Sequence, residues 1–156
     1  MATGDQIDQA NFDISIRVYF RLYQASNLLH KNGTRFMSEF GTTTQQWGVL
    51  GALSRPRVHE AGMTVKELLE FLAVSRQNLT PVIDRLEARG WIERVKDPAD
   101  GRSRRIRMTG PGDAIWARML VRIDAFYNRS LAGFSAEEKL LLYRLLDRLK
   151  AGLGEV

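Results

Sequence analysis

The amino-acid sequence predicts a mainly α-helical protein with one small β hairpin. Most of the chain carries apolar residues at intervals of three and four, the period of a helix that buries one face. Only residues 91–108 change to the alternating pattern of paired strands. Thr43, Thr64 and Ser135 are each followed three positions later by Gln or Glu, a pair that caps helix N-termini.

The N-terminal part of the chain predicts one long helix followed by a shorter one. Between residues 12 and 40 the apolar positions form two stripes, so this helix is expected to be covered on two sides. Gly41 suits its C-terminal end. A second helix is expected to start at Thr43 and to end before Pro56, and residues 55–62 are expected to form a loop.

Two short helices and a hairpin are expected next. Thr64 starts the first helix, and Ser75 caps the second, which runs to about Arg89 and stops at Gly90. Two short helices joined by a tight turn make a helix-turn-helix. The strands 91–95 and 104–108, joined by a turn rich in Asp, Pro and Gly, then form a hairpin, the wing.

Two helices are expected to close the chain. Thr109 can cap the first, Pro111 suits its first turn, and residues 115–131 return to helical spacing. The last helix follows Ser135 and carries one apolar stripe, formed by Leu142, Leu145, Leu146, Leu149 and Leu153. Because so much apolar surface is rarely left exposed, this helix is expected to cover another part of the chain or a second copy.

Composition excludes several classes of protein. No apolar run approaches the roughly 18 residues that a membrane helix needs, so no membrane partner is expected. Residues 1–6 lack the basic start and apolar run of a secretory signal, and a cytoplasmic location is therefore expected. Cysteine is absent, which excludes disulfides, thiolate metal sites and thiol chemistry.

Neither a cofactor nor an enzymatic reaction is expected. His30 and His59 are the only histidines and are too few for a zinc site in a chain without cysteine. The sequence contains no phosphate-binding glycine loop, no zinc-protease helix and no nucleophile elbow.

Positive charge is concentrated in one stretch. The formal net charge is +5, and the stretch from Arg76 to Arg107 holds nine basic residues against five acidic ones. About a fifth of the chain therefore carries nearly all of the net charge, which favours a polyanionic partner at this place.

Short motifs stand in register across residues 85–109: Arg85-Leu86-Glu87, Gly90, Ile92 and Arg94, then Asp100-Gly101-Arg102-Ser103, then Met108-Thr109. In these motifs and in the order of its elements the chain resembles the MarR family of winged helix-turn-helix transcription regulators. That family has a long first helix, a helix-turn-helix, a wing and two closing helices that dimerise. The resemblance implies a sequence-specific DNA-binding regulator, by the family's habit a ligand-responsive repressor, that binds a pseudo-palindromic operator in double-stranded DNA as a homodimer.

The resemblance also implies a division of labour along the chain. Residues 1–156 would form a single MarR-like unit. Within it, residues 12–40 and 110–153 would form a helical dimerisation domain, and residues 43–109 would form the winged helix-turn-helix.

The helix after Ser75 is expected to lie in the major groove. Arg76, Gln77 and Asn78 occupy its first turn and can make the bidentate contacts that distinguish guanine and adenine. The alternative is that these are only solvated polar positions. The full set of expected DNA contacts is Ser75, Arg76, Gln77, Asn78, Thr80, Arg85, Arg102, Ser103, Arg104 and Arg105.

In the wing, Arg102 is expected to enter the minor groove. Asp100 is expected to hold Arg102 or Arg76 by a charge-assisted hydrogen bond and so to orient the wing.

The remaining arginines of this region carry two interpretations each. Arg85 and Arg94 could contact DNA. Alternatively, they could form ion pairs with Glu87 or Glu93, and Arg94 could in this way orient the base of the wing. Arg104, Arg105 and Arg107 could contact phosphates or brace the wing.

Pro81 lies inside the expected recognition helix, where proline removes one backbone hydrogen bond. We therefore expect a kink near Gln77. Proline after threonine is similar to family branches that sense organic hydroperoxides, but those sensors use a cysteine and this chain has none.

The family resemblance raises a small aromatic or phenolic acid as an effector. Tyr19, Tyr23 and Trp47, with Phe20, could supply aromatic walls, and Arg17 or Arg21 could bind a carboxylate. The alternative is that these aromatic residues are core and these arginines are solvated.

A winged-helix module that only contacts proteins, or that packages DNA without sequence preference, is the rival interpretation. Such a protein would need a positive wing but not the Arg-Gln-Asn first turn of the recognition helix.

Overall fold

The computed structural model describes residues 7–156. Residues 1–6, where no secretory signal is expected, lie outside this range. The helices of the described part are α1 Gln9–Phe36, α2 Thr44–Leu53, α3 Val65–Leu72, α4 Arg76–Ala88, α5 Gly110–Ser130 and α6 Ala136–Gly154. The strands are β1 Met63–Thr64, β2 Ile92–Lys96 and β3 Arg104–Met108. The mainly α-helical class with a small β wing is confirmed.

The chain divides into two compact units, Met1–Met119 and Leu120–Val156. The boundary falls inside α5, whereas the sequence predicts one unit with dimerisation helices at both ends. The assignment of residues 12–40 and 110–153 to dimerisation stays a prediction.

Side-chain caps define the starts of the helices. Capping boxes are present at Thr43, Thr64 and Ser135, where each hydroxyl accepts a hydrogen bond from the third helical N–H and the Gln or Glu there reaches back. Ser75 caps α4 by accepting from the N–H of Asn78 at 3.2 Å. These four predicted helix starts are confirmed, and at the fifth, Thr109 Oγ1 accepts from Gly112 N–H at 3.1 Å.

The end of α1 differs from the prediction. The α-helix stops at Phe36 rather than near residue 40, and a separate turn of 3₁₀ helix, Ser38–Phe40, follows it. Gly41, with φ of 61°, ends that turn and not the α-helix itself. The backbone stays helical here, but its hydrogen bonds span three residues instead of four, as in Gly41 N–H to Ser38 O at 3.0 Å.

The sheet has three antiparallel strands in the order β1-β3-β2. Strand β3 matches its predicted bounds. Strand β2 begins one residue later than predicted, because the N–H of Trp91 donates to Leu86 O at the end of α4. Strand β1 is not predicted by the sequence. Its two residues pair Met63 with Ile106 and Thr64 with Arg105, and two residues are too few to show a period.

The core of the first unit lies where α2, α3 and α4 pack on the inner face of the sheet. Its fully buried side chains include Leu50, Leu53, Leu68, Ile83, Leu86, Ile92 and Ile106. These positions carry the helical and alternating periods of the sequence. The helix-turn-helix and the wing therefore rest on one shared apolar layer.

The second unit holds the end of α5 and all of α6. No residue of α6 is buried, and its exposed apolar residues include Leu140, Leu141, Tyr143, Leu145, Leu146 and Leu153. Within residues 7–156 no helix is long and apolar enough to cross a membrane.

Candidate nucleic-acid interface

The first turn of α4 presents three polar side chains to solvent. Arg76, Gln77 and Asn78 are exposed, and none of them makes a side-chain hydrogen bond or ion pair within residues 7–156. Ser75 Oγ accepts from the N–H of Asn78, which leaves its O–H free to donate. The turn thus offers several donors and acceptors that no other part of the described chain uses.

The opposite face of α4 fixes this turn in place. Leu79, Val82, Ile83 and Leu86 are buried, with exposures of 3%, 7%, 1% and 0%. Because these residues follow the helical period, the helix cannot rotate without exposing them. The Arg-Gln-Asn turn is therefore held rigidly on the outside of the molecule.

Pro81 is accommodated inside a continuous α4. Its ring nitrogen cannot donate to the carbonyl of Gln77. One residue earlier, the Thr80 hydroxyl donates to Arg76 O at 2.9 Å and adds a bond to the same turn. The expected kink near Gln77 stays a prediction.

The turn of the wing is built by backbone bonds and two aspartates. Asp97 N–H donates to Ser103 O at 3.1 Å, and Ser103 N–H donates to Asp100 O at 3.0 Å. Asp100 Oδ1 accepts from the backbone N–H of Arg102 at 3.0 Å, so it does not hold the guanidinium of Arg102 or Arg76 as expected. Asp100 shapes the turn, and the Arg102 side chain is left exposed.

Arg94 joins the wing to α4. Its Nη2 lies 2.9 Å from Asp84 Oδ1 and its Nε lies 3.2 Å from Glu87 Oε2. The sequence suggests the pair with Glu87 but not the pair with Asp84, although Asp84 lies one helical turn before Glu87. Arg94 therefore orients the base of the wing and is not free for DNA.

Glu93 does not pair with Arg94 or Arg85, because it pairs with Arg107 across the hairpin at 2.8 Å. Arg85 is exposed on α4 and makes no ion pair within the described residues, so neither of its suggested glutamate partners holds it. Arg104 and Arg102 are likewise exposed on the wing. The DNA contacts expected of these three exposed arginines stay predictions.

Arg105 is expected from the sequence among the DNA contacts, and the structure gives its guanidinium other partners. Nε donates to Ala61 O at 3.0 Å and Nη2 donates to Gly62 O at 2.9 Å. Two carboxylates complete the set, with Glu67 at 3.1 Å and Asp97 at 3.3 Å. The Arg105 side chain is only 20% exposed, and these contacts fit the bracing alternative. Its contact with DNA stays a prediction.

The carboxyl of Asp97 is perturbed by this arrangement. The N–H of Ala99, and after it the Arg105 guanidinium, lower the pKa of Asp97 below the ordinary 3.8, although partial burial opposes them. Asp97 is therefore firmly ionised at neutral pH and pairs with Arg105 as a carboxylate.

Arg89, at the C-terminal end of α4, has a structural role that the sequence does not reveal. Its guanidinium donates to Phe40 O at 2.6 Å and to Gly41 O at 3.0 Å. It also lies 3.7 Å from the centre of the Trp91 ring. Nothing local marks this role, because the two carbonyls are almost fifty residues away in sequence.

The suggested effector residues are not brought into one enclosed pocket. Trp47 is buried, at 8% exposure, whereas Tyr19 and Tyr23 on α1 are exposed at 49% and 67%. Arg17 and Arg21 are exposed on the same helix, and Arg21 Nη1 donates to Gln24 Oε1 at 2.8 Å. Trp47 thus belongs to the core, and α1 carries the tyrosines and arginines on its surface.

Neither histidine belongs to a metal cluster in the part of the chain that the structure describes. His30 Nδ1 lies 2.6 Å from Thr44 Oγ1, and His59 Nε2 lies 2.7 Å from Asp113 Oδ1. Both therefore link helices or loops through single polar contacts.

Comparison with known proteins adds the family context. A model of the MarR family matches residues 40–103. The transcriptional activatory protein BadR of Rhodopseudomonas palustris is 44% identical over 96% of this chain and 87% of its own length. The homoprotocatechuate degradative operon repressor of Escherichia coli is 29% identical over 70% of this chain and 71% of its own.

A solved structure shows the same arrangement of elements. The PcaV transcriptional regulator of Streptomyces coelicolor, in complex with its natural ligand, superposes with a TM-score of 0.67 at 28% identity. The match covers 81% of this chain and 89% of that one.

Proposed function

The chain belongs to the MarR family of DNA-binding transcription regulators, which are not enzymes, and from that premise we propose that it reads a pseudo-palindromic operator as a ligand-responsive homodimer. The observation that carries the proposal is the first turn of α4. Its Arg76, Gln77 and Asn78 are exposed and unpaired on a helix whose other face is locked into the core. Side chains so placed can match base edges in the major groove.

The proposed contacts follow the two elements that face outward. On α4, Arg76, Gln77 and Asn78 read bases. The remaining contacts, to phosphates or in the minor groove, are Ser75, Thr80, Arg85, Arg102, Ser103 and Arg104. We leave Arg105 out of the proposed set, because its guanidinium donates to Ala61 O and Gly62 O.

A homodimer is supported by apolar surface that the single chain leaves uncovered. Helix α1 exposes Phe12, Ile14, Val18, Tyr19, Phe20, Tyr23, Leu28 and Leu29, and α6 exposes a second set. Patches of this extent usually mark an interface. Two-fold symmetry then places the half-sites about 10 base pairs apart, centre to centre.

Selection of bound duplexes from a random-sequence library tests the base reading. We expect an enriched pseudo-palindrome, and Gln77→Ala should relax one base preference by about 1–3 kcal/mol. Gln45→Ala, an exposed glutamine on α2, is the control and should select the wild-type sequence. If the wild-type protein enriched no sequence, a sequence-neutral packaging function would be favoured.

The wing is tested on the selected duplex. Arg102→Ala should weaken binding, most strongly where the flanks are rich in A and T, because their narrow minor groove attracts arginine. Arg148→Ala, an exposed arginine on α6, is the matched control. Equal affinities for wild type and Arg102→Ala on all flanks would remove Arg102 from the interface.

A small aromatic or phenolic acid is the proposed effector class. One relative is named for an operon that degrades homoprotocatechuate, a phenolic acid, and PcaV was solved with a natural ligand. On this chain Arg17 and Arg21 lie exposed one turn apart on α1, where they could bind a carboxylate.

A thermal-shift screen of aromatic carboxylates tests the effector. A ligand of the native state raises the unfolding temperature, and Arg17→Ala or Arg21→Ala should abolish the shift. Arg35→Ala, near the other end of α1, is the control. No shift with any compound would argue against this class of effector.

The direction of regulation is tested in cells. We propose a repressor in the cytoplasm that releases its operator on binding the effector, and the similarity to the activatory protein BadR makes activation the competing outcome. Expression of a reporter gene placed behind the selected operator should rise when the gene for the regulator is deleted. A fall in expression would indicate activation instead.

A further inference from the structure

The Arg105 guanidinium ties the wing to the helix-turn-helix at one point. It donates to Ala61 O, Gly62 O, Glu67 and Asp97, which belong to the loop before β1, to α3 and to the wing turn. We propose that Arg105 is a positioning residue for DNA binding, which fixes the wing turn against α3 and thereby places Arg102. This inference rests on the proposed contact of Arg102 with DNA.

On the helix side, Arg105 contacts the carboxylate of Glu67, which also caps the N-terminus of α3. Glu67 Oε2 accepts from the N–H of Thr64 at 2.9 Å to close the capping box of α3. The same oxygen accepts from Arg105 Nη2 at 3.1 Å. Since Thr64 also pairs with Arg105 in the sheet, the N-terminus of α3 and strand β3 are held together through both backbone and side chains.

On the wing side, the carboxylate of Asp97 links Arg105 to the wing turn. Its Oδ2 accepts from Arg105 Nη1 at 3.3 Å, and its Oδ1 accepts from Ala99 N–H at 2.9 Å. The Asp97 side chain is only 12% exposed, so this pair is more sheltered from solvent than the ion pairs that Arg94 and Arg107 make.

The turn then leads directly to Arg102. Asp97 N–H bonds Ser103 O, and Asp100 accepts from the backbone N–H of Arg102. An unbroken series of hydrogen bonds therefore runs from α3 through Arg105 and the turn to the residue proposed for the minor groove.

Arg107 provides a matched comparison on the same strand. Its Nε donates to Glu93 at 2.8 Å, which joins β2 to β3 within the hairpin. This ion pair stays inside the wing, whereas that of Arg105 with Glu67 reaches α3. Loss of the Arg107 side chain should thus weaken the hairpin without releasing it from the helix-turn-helix.

A double-mutant cycle on the duplex selected by the wild-type protein tests the role of Arg105. Arg105→Met is expected to weaken binding about tenfold, equivalent to about 1.4 kcal/mol, and to have little further effect when Arg102 is already alanine. Arg105→Lys should restore only part of the affinity, because an ammonium cannot reproduce the planar fork of four bonds. Additive losses from Arg105→Met and Arg102→Ala would overturn the proposal, since they would indicate independent contacts.

Hydrogen exchange of the DNA-free protein gives a second readout. In Arg105→Met and Arg105→Lys the amides of residues 97–103 should exchange faster, while those of α4 and all amides of Arg107→Met outside the hairpin should match wild type. Unchanged exchange at 97–103 would overturn the proposal even if DNA binding fell. If the wild-type protein selected no duplex, the DNA function would fail and the exchange data would still decide whether Arg105 restrains the wing.

Discussion

The guanidinium of Arg89 lies over the indole ring of Trp91, with its carbon 3.7 Å from the ring centre. In this position it also donates to the carbonyls of Phe40 and Gly41. One side chain at the C-terminal end of α4 thus hydrogen-bonds two carbonyls of the turn that follows α1. The placement of α4 depends on a segment far from it in sequence.

Arg89→Ala should lower the free energy of unfolding by about 1–3 kcal/mol, since it removes two charge-assisted hydrogen bonds and a cation–π contact. Arg85→Ala is the control on the same helix, because Arg85 has no partner within residues 7–156, and it should change stability by less than about 0.5 kcal/mol. Urea denaturation measures both. Equal losses in the two variants would mean that the Arg89 contacts contribute nothing in solution.

The sequence predicts correctly the features whose causes are local. A capping box needs only a hydroxyl and a Gln or Glu three residues apart, so the helix starts at Thr43, Thr64 and Ser135 are predicted correctly. The hairpin is similarly visible from its alternation. Strand β1 is not, because two residues carry no period and its pairing partner lies more than forty residues away.

The roles of the arginines could not be predicted in the same way. Arg102 and Arg105 are three residues apart in the same basic stretch, yet one is exposed and the other is bonded to four acceptors. The difference arises from Gly62 and Glu67, which reach Arg105 only through the tertiary fold. An arginine near a predicted interface therefore cannot be assigned to DNA without knowing its intramolecular acceptors.

Gly62→Ala should be strongly destabilising. Gly62 has φ of 72°, and a Cβ on it would overlap the carbonyl oxygen of Ile106 in β3. Gly90 has a similar φ of 74°, but no atom lies within 4 Å of the place where a Cβ would be. Gly90→Ala therefore measures the cost of the backbone conformation without a steric clash. We expect Gly90→Ala to cost about 1 kcal/mol and Gly62→Ala about 3 kcal/mol, measured by chemical denaturation.

The contrast between the two glycines is the test. Equal losses would mean that β1 and β3 separate enough to admit a methyl group. In that case the close approach of these strands would not restrain the wing.

Acid should weaken the fold partly through Asp97. Hydrogen bonding from Ala99 N–H, and then Arg105, lowers the pKa of Asp97 in the folded state, so the ionised form stabilises the fold. This contribution is present above the ordinary value of 3.8 and is lost as the pH falls through the lower folded value. The stability difference between wild type and Asp97→Asn should therefore shrink as the pH falls from about 7 to about 3.

Arg105→Met separates the two causes. This variant removes the guanidinium but keeps the N–H of Ala99. The stability of Arg105→Met should therefore retain part of the pH dependence that Asp97→Asn loses. Thermal unfolding at a series of pH values measures all three proteins. A difference between wild type and Asp97→Asn that stayed constant with pH would contradict the assignment.

The apolar stripe of α6 should control assembly. Leu146 is 44% exposed in the single chain, and burying that exposed part in a dimer contributes roughly 0.7–1.3 kcal/mol per protomer. Leu146→Lys should shift the protein towards monomer in sedimentation velocity, because it also places a charge in an apolar contact. Arg144→Ala, about 200° around the helix from Leu146, is the control and should remain dimeric.

DNA affinity should fall together with the dimer, since a monomer can occupy only one half-site of a two-fold operator. Circular dichroism distinguishes a folded monomer from an unfolded chain. A Leu146→Lys protein that sedimented as a dimer and bound the selected duplex like wild type would place the dimer interface elsewhere, with the exposed stripe of α1 as the next candidate.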